Sequence, residues 1–155
     1  MFDLYEEFKS IVSALERANI DYAVCGGLAM AVWGAPRATV DIDLLILAEA
    51  QEEAKSVARS LGFTIEALPM TVGGGVIEIR RFSKIDRETG IVLPLDFILV
   101  APEINEIWDS RVEVPWESTS LWSVSRRGLI ALKSLKPRPQ DLVDIERLKE
   151  AGDEG

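Results

Sequence analysis

The sequence predicts a single α/β (α+β) domain, and three observations support this prediction. The chain has 155 residues, a length that usually forms one hydrophobic core. Its hydrophobic fraction of 48% and charged fraction of 28% are ordinary for a globular protein. Amphipathic segments with helical spacing alternate with short apolar segments that end at glycine, proline or polar residues. We therefore expect one domain over residues 1–150 and a frayed tail over 151–155.

Six segments are predicted to be helical, because their apolar side chains recur at intervals of three or four residues. The clearest is the first, in which Phe8, Ile11 and Leu15 lie on one stripe with charged residues off it. Gly62 closes the third helix, and Ser125 is a candidate N-cap for the fifth. In chain order, the predicted helices cover residues 2–18, 28–33, 49–61, 103–109, 126–135 and 140–149.

Seven segments are predicted to be strands, because they are short, apolar or alternating, and bounded by turn residues. Within 91–100, only Pro94 and Asp96 interrupt the apolar sequence, and the proline predicts a bulge or an edge position. Residues 70–75 are predicted to be a flexible turn and residues 84–90 a polar hairpin tip. In chain order, the predicted strands cover residues 21–25, 40–47, 63–68, 77–80, 91–100, 111–116 and 120–124.

The composition excludes several classes of chemistry. The chain contains no histidine, so Ser-His-Asp and Cys-His catalysis, and zinc sites built on histidine, are excluded. Cys25 is the only cysteine, so no internal disulfide can form, and a cytoplasmic location is the default expectation. The apolar runs are shorter than the roughly 20 residues that span a bilayer, and we expect neither a signal peptide nor a membrane partner. Acid, base or metal chemistry must therefore depend on carboxylates.

Asp41 and Asp43 lie two residues apart at the start of a predicted strand. Side chains with this spacing project from the same face of a strand. Mg²⁺ prefers hard oxygen ligands and usually takes one or two carboxylates together with substrate phosphates. The pair is therefore a candidate metal site. The alternative is a structural role in which the two carboxylates accept hydrogen bonds from loop amides.

Asp96 is the third candidate, because it is the only charged residue between Gly90 and Val100. An ionised carboxylate in a buried strand is strongly unfavourable unless it is paired or bound to a metal. A salt bridge, for example to an arginine, is the alternative. Two apolar strands that both contain carboxylates suggest a two-metal site for phosphoryl transfer.

Two glycine motifs invite a phosphate-binding interpretation. Gly26-Gly27 lies between a predicted strand and a predicted helix, where the backbone can approach a phosphate closely. Gly73-Gly74-Gly75 lacks the Lys-Ser/Thr sequence that follows the glycines of a P-loop. We interpret the first motif as a candidate triphosphate site, with a simple turn as the alternative, and the second as a hairpin turn.

Five segments follow one another in a recognisable order along the chain. They are Gly26-Gly27-Leu28-Ala29, Gly34-x-x-Arg37-x-Thr39-x-Asp41-Ile42-Asp43-Leu44, Leu95-Asp96-Phe97, Leu129-Ile130-x-Leu132-Lys133 and Arg138-x-Gln140-Asp141-Leu142-x-Asp144-Ile145. In this order, the segments resemble the small bacterial and archaeal nucleotidyltransferases of the DNA polymerase β superfamily. The resemblance covers residues 20–148, and its C-terminal part looks like the subgroup that contains abortive-infection and toxin–antitoxin nucleotidyltransferases.

The resemblance implies a fold with a mixed central sheet flanked by helices and with further helices at the C-terminus. It implies that Asp41, Asp43 and Asp96 ligate Mg²⁺ or Mn²⁺, with Asp96 helping to deprotonate the acceptor hydroxyl. It also implies six nucleotide-binding residues: Gly26, Gly27, Arg37, Thr39, Lys133 and Arg138. One departure is that many members have serine after the first glycine, where this chain has Gly27.

The C-terminal charged residues have a structural alternative. Asp141 and Asp144 are expected to orient Lys133 and Arg138 by ion pairing, or all four form a salt-bridge network on a helix pair that adds little stability. Three tryptophans could stack on bases if exposed, but we expect them to pack against the sheet. They are Trp108, Trp116 and Trp122.

The predicted function is therefore transfer of a nucleoside monophosphate (NMP) from a nucleoside triphosphate (NTP) to a hydroxyl, in the toxin of a toxin–antitoxin or phage-defence pair. The acceptor is an RNA such as the 3′ end of a transfer RNA, a protein or a small molecule. Basic residues outnumber acidic ones in 80–87 and 126–147, which favours RNA, whereas the net charge of −9 favours the other two. The alternatives are a non-catalytic module that binds nucleotide or a partner, and a subunit active only beside an antitoxin-like or helical partner.

Overall fold

A computed structural model describes residues 2–152 of the chain. Helices occupy α1 (Leu4–Arg17), α2 (Gly26–Val32), α3 (Gln51–Ser60), α4 (Asn105–Asp109), α5 (Arg126–Ser134) and α6 (Pro139–Ala151). Short 3₁₀ turns at Ala48–Ala50 and Pro102–Ile104 precede α3 and α4. Strands occupy β1 (Ala23–Cys25), β2 (Ile42–Leu47), β3 (Ile65–Glu66), β4 (Met70–Val72), β5 (Ile77–Ile85), β6 (Val92–Val100), β7 (Val112–Trp116) and β8 (Thr119–Ser123).

The strands form one mixed sheet, in the order β3-β5-β6-β2-β1-β8-β7, with β4 paired to β5. Strand β2 runs parallel to β6, and β1 runs parallel to β8, while the other neighbours are antiparallel. Helix α3 packs on β5 and β6 and contacts α1, and α5 packs against α6. The mixed sheet flanked by helices, with two helices at the C-terminus, confirms the predicted fold class.

The core lies where alternate side chains of the central strands meet the helices. On β6 the buried face consists of Leu93, Leu95, Phe97 and Leu99. The other face of the same strand carries Asp96, Ile98 and Val100, of which the last two are only partly buried. This alternation separates a helix-covered apolar face from a second face on which the buried carboxylate lies.

Most sequence-predicted elements are confirmed to within a few residues, and four differ. The stretch predicted as a flexible turn at 70–75 contains β4, which pairs with β5 through Met70 and Ile79. Strand β5 runs through to Ile85, well beyond the predicted end at residue 80, and only residues 65–66 of the predicted strand 63–68 form a strand, β3. Helix α2 begins at Gly26 rather than at residue 28.

Pro94 causes neither a bulge nor an edge strand. It lies opposite Ser83 in an unbroken antiparallel register, and β6 is flanked by β5 and β2. Pairing with β2 begins one residue later, at Leu95 opposite Ile42. Since no β2 residue lies opposite the proline, its missing amide hydrogen removes no bond to that strand.

Both helices of the C-terminal pair, α5 and α6, have an identifiable N-terminal cap. The Ser125 hydroxyl accepts a hydrogen bond from the Gly128 amide at 2.9 Å, which confirms the predicted N-cap of α5. At the start of α6, the Asp141 carboxylate accepts a bond from the Arg138 amide at 2.9 Å. Helix α6 extends to Ala151, so residue 151 is helical and does not belong to the predicted frayed tail. Its last three residues, 153–155, lie outside the described part of the chain.

Two further predictions concern membranes and tryptophans. Within residues 2–152, no helix combines the length and hydropathy that crossing a bilayer requires.

Trp108 is buried, Trp116 packs against Tyr5 and Phe8, and the Arg111 guanidinium lies over Trp108 at 4.0 Å and near Trp122 at 5.3 Å. Trp108 is therefore an interior residue, whereas Trp116 and Trp122 belong to strands β7 and β8 themselves and are partly buried beside neighbouring side chains.

Candidate active site

Three carboxylates converge at the beginning of β2. Asp41 directly precedes the strand, Asp43 is its second residue, and Asp96 lies opposite Asp43 on the parallel strand β6. One oxygen of each residue lies within 4.8 Å of one oxygen of the other two. Parallel pairing brings two residues that are 53 positions apart in sequence to the same register position. The three side chains predicted from the sequence therefore form a single acidic cluster.

The cluster has unfavourable electrostatics without a cation. Burial raises the pKa of the Asp43 carboxyl well above its ordinary value, and the charges of Asp41 and Asp96 raise it further. Lys133 and Arg81 act in the opposite direction without compensating fully. A bound cation would remove this repulsion among the carboxylates, so the cluster has a strong electrostatic preference for a positive ion.

The donor set fits a hard divalent cation. Three carboxylates within reach of one another provide the oxygen ligands that Mg²⁺ and Mn²⁺ prefer, and the described residues place no thiolate or imidazole among them. Asp41, Asp43 and Asp96 are the residues that would hold such an ion.

Arg81 is a site residue that the sequence analysis did not identify. It lies opposite Asp96 on the antiparallel strand β5. Its Nε and Nη2 atoms donate to Oδ1 and Oδ2 of Asp96 at 2.7 and 2.9 Å. The salt-bridge alternative for Asp96 is therefore present together with the metal-type cluster. The signal in the sequence was the alternation of Ile77 and Ile79, which puts Arg81 on the same face as both isoleucines.

The two glycines of the β1–α2 junction are required by contacts within the protein. Gly26 has a φ of +64°, and a Cβ atom there would lie 2.1 Å from Oδ2 of Asp43. A Cβ atom on Gly27 would lie 2.5 Å from Oγ1 and 2.7 Å from Cβ of Thr39. The Thr39 hydroxyl also donates to Oδ1 of Asp41 at 3.2 Å. Thr39 thus fills the space beside Gly27 and orients a carboxylate of the cluster.

These contacts explain why a serine does not follow the first glycine. We expect Gly27→Ser to destabilise the protein by about 1–3 kcal/mol, because extra atoms would be forced into a filled space. Thr39→Gly in the same chain should recover much of this loss, whereas Thr39→Ala should not, because its Cβ atom remains in the way. Urea unfolding of the single and double variants measures this coupling. Equal stability of Gly27→Ser and the unsubstituted protein would contradict it.

The predicted nucleotide-binding cations lie in a network of ion pairs. The Arg37 guanidinium donates twice to Asp144, at 2.9 and 3.0 Å, and the Lys133 ammonium lies 2.9 Å from the same carboxylate. Arg138 pairs with Asp141 at 3.2 Å while its side chain is 79% exposed. The network ties the loop before the cluster to α5 and α6. It confirms the predicted ion pairing of Asp141 and Asp144, whereas the pairing of Arg37 with Asp144 was not predicted.

The two basic segments do not form a continuous basic surface. In 80–87, Arg80 pairs with Glu78 at 3.3 Å, Arg81 pairs with Asp96, and Lys84 pairs with Glu7 at 2.6 Å. Arg80 and Arg81 are consecutive strand residues and so point to opposite faces of the sheet. In 126–147, Lys133 and Arg138 are paired as described above, and Arg147 donates to the Pro36 carbonyl at 2.9 Å. At least five of the ten basic residues in the two segments therefore have a carboxylate partner.

The architecture is that of the nucleotidyltransferase fold, as comparison with solved structures shows. One similar structure is the lincosamide antibiotic adenylyltransferase LnuA in its lincomycin-bound form, with a TM-score of 0.66 and 17% sequence identity. The alignment covers 95% of this chain and 97% of the LnuA chain. A second is ANT(2″)-Ia in complex with adenylyl-2″-tobramycin, with a TM-score of 0.60 and 16% sequence identity, where the alignment covers 94% of this chain and 87% of the ANT(2″)-Ia chain. No family model matches the sequence, and no curated protein matches it.

Proposed function

We propose that this protein is a metal-dependent nucleotidyltransferase that moves an NMP from an NTP to a hydroxyl acceptor and releases pyrophosphate. The observation that carries the proposal is the convergence of Asp41, Asp43 and Asp96 within 4.8 Å of one another on a nucleotidyltransferase fold. Neither feature alone supports the proposal as strongly. Acidic clusters without a metal are common, and one fold hosts many functions.

The chain's own residues have distinct roles in the proposed reaction. Asp41, Asp43 and Asp96 would hold the ion, and Asp96 also accepts the proton of the acceptor hydroxyl. A bound Mg²⁺ or Mn²⁺ would neutralise the triphosphate and favour the ionised acceptor oxygen. Gly26 and Gly27 keep the backbone close to the cluster, and Thr39 holds Asp41 in place.

Cations beside the cluster are suited to binding the triphosphate. Two carboxylates, Asp141 and Asp144, are shared among Arg37, Lys133 and Arg138, so the network has one more cation than anions. Lys133 lies close enough to Asp43 to lower the pKa of its carboxyl. We propose that the excess positive charge of this network faces the phosphates of the NTP, with the exposed Arg138 as the most mobile contributor.

Among acceptors, the ion pairing favours a small molecule or a protein hydroxyl over RNA. RNA binding depends mainly on cations that are free to contact phosphates, and the cations beside the cluster, Arg81, Lys133 and Arg138, already have carboxylate partners. The net charge of −9 points in the same direction. The two structural neighbours described above carry antibiotics.

The test is incubation of the protein with each labelled NTP and Mg²⁺ or Mn²⁺, together with separate pools of total RNA, cell protein and small hydroxyl compounds. We expect metal-dependent labelling of one pool and equal release of pyrophosphate. Addition of the protein encoded beside it should leave this labelling unchanged if the chain is active alone. If NTP binds in the presence of metal but no pool is labelled, the chain is instead a non-catalytic nucleotide-binding module.

A further inference from the structure

Arg81 and Asp96 form an ion pair in which one side chain is buried and the other is partly exposed to solvent. The Asp96 side chain is 4% exposed, whereas that of Arg81 is 37% exposed, so the guanidinium reaches the carboxylate from the solvent side. Their neighbours on the same face, Ile79 and Ile98, form an apolar pair at the next register position. A buried ion pair often contributes no more stability than two apolar residues of similar size. Stability alone therefore does not account for charges at this position.

The geometry of the pair restrains the carboxylate. Two parallel hydrogen bonds, at 2.7 and 2.9 Å, fix both oxygens of Asp96 and leave no free rotation of the carboxyl group. Each carboxylate oxygen has two lone-pair positions, so one on each oxygen stays available for another partner. The same group contributes an oxygen to the cluster with Asp41 and Asp43. Arg81 therefore holds Asp96 in the orientation that the cluster uses.

We propose that Arg81 is a positioning residue for the metal site, acting through Asp96, an inference that rests on the proposed function. Residues that orient metal ligands in this way typically change metal affinity or activity by about 10- to 100-fold when they are replaced. The orienting effect depends on the guanidinium fork, which lysine cannot reproduce because its ammonium is a single rotating point of charge.

The charge of Arg81 and its orienting effect on Asp96 predict opposite changes in Mn²⁺ affinity when Arg81 is replaced by glutamine. Arg81→Gln removes a positive charge beside a cation site, so electrostatics alone would make Mn²⁺ bind more tightly. Loss of orientation would make it bind more weakly. Arg81→Lys keeps the charge and loses the fork, so electrostatics alone would leave Mn²⁺ affinity unchanged, whereas loss of orientation would weaken it.

The experiment measures Mn²⁺ binding to the full chain without nucleotide, by electron paramagnetic resonance of the free ion. We expect both Arg81→Lys and Arg81→Gln to weaken binding by about 10- to 100-fold, with kcat for transfer falling in parallel. The matched control is Arg80→Lys, since Arg80 lies next to Arg81 on β5 but pairs with Glu78 on the opposite face. Circular dichroism and thermal melting identify which variants are folded, and either folded Arg81 variant is sufficient for the test.

Two outcomes separate this inference from the function on which it rests. If the unsubstituted protein binds Mn²⁺, Asp43→Asn does not, and a folded Arg81 variant binds as tightly as the unsubstituted protein, the positioning role is wrong while the metal site stands. If the unsubstituted protein itself does not bind Mn²⁺, with or without an NTP, the proposed metal mechanism is wrong, and the role of Arg81 is refuted with it.

Discussion

Asp43→Asn is expected to reduce metal-dependent NMP transfer by at least about a thousandfold while leaving the fold intact. Asparagine keeps the size of the side chain but removes the charge that would hold a divalent cation. Metal ions in such sites stabilise the transition state by several kcal/mol, and about 4 kcal/mol corresponds to a thousandfold change in rate. The assay is release of pyrophosphate from the NTP that labels a pool. Full activity of this variant would overturn the proposed mechanism.

In the absence of divalent cations, the same substitution should not reduce stability. Because burial and the neighbouring carboxylates raise the pKa of Asp43 in the folded protein, its ionised form opposes folding. The variant should therefore be as stable as the unsubstituted protein or more stable at neutral and alkaline pH. This advantage should shrink as the pH falls towards the unfolded pKa of about 3.9. Asp21 is an exposed aspartate just before β1, and Asp21→Asn is the matched control for the activity and the stability measurements.

The acidic cluster could be predicted from the sequence because each of its members leaves a local signal. Asp96 interrupts an otherwise apolar strand, and Asp41 and Asp43 follow the spacing that places side chains on one face. What local patterns do not specify is register. The parallel pairing that sets Asp43 opposite Asp96 depends on contacts between distant segments. It is the fold as a whole that places the three carboxylates together.

Arg81 shows why the rest of the site could not be predicted. The sequence predicted this strand only over residues 77–80, yet pairing with β6 continues to Ile85. Long-range pairing overrode local preference, as it often does in strands. The contact between Gly27 and Thr39 was missed for a similar reason, since nothing in either segment indicates that they touch. The pairing of Arg37 with Asp144 joins residues that are 107 positions apart.

Asp144→Asn is expected to cause the largest loss of stability of any substitution in the charge network. The Asp144 side chain is fully buried, and that of its partner Lys133 is only 8% exposed. Asn would remove the carboxylate that pairs with both Arg37 and Lys133, leaving the buried ammonium only an oxygen of Asp141 at 3.9 Å, and removal of one member of a buried pair typically costs about 3–5 kcal/mol. For a protein of this size, that corresponds to a fall in melting temperature of roughly 6 to 20 °C. Glu146→Gln, at an exposed position of α6, should change it little.

The pH dependence of this loss follows from the pKa of Asp144. Burial alone would raise that pKa, but hydrogen bonds from Arg37, Lys133 and Gln140 outweigh burial, so the pKa lies below its ordinary value. The stabilisation is therefore fully present above the unfolded pKa of about 3.9 and is lost as the pH falls through the lower folded pKa. The difference in unfolding free energy between Asp144→Asn and the unsubstituted protein, measured in urea, should accordingly shrink below about pH 4.

A second substitution separates the ion pair from the packing around it. If the cost of Asp144→Asn arises because the buried ammonium of Lys133 loses its nearer carboxylate partner, then Lys133→Met in the same chain should recover part of the lost stability, because it removes the buried charge. If the cost arises from disturbed packing of α5 on α6, the double variant should be less stable than either single one. Loss of NTP binding in the double variant, with stability recovered, would support the role of Lys133 beside the triphosphate.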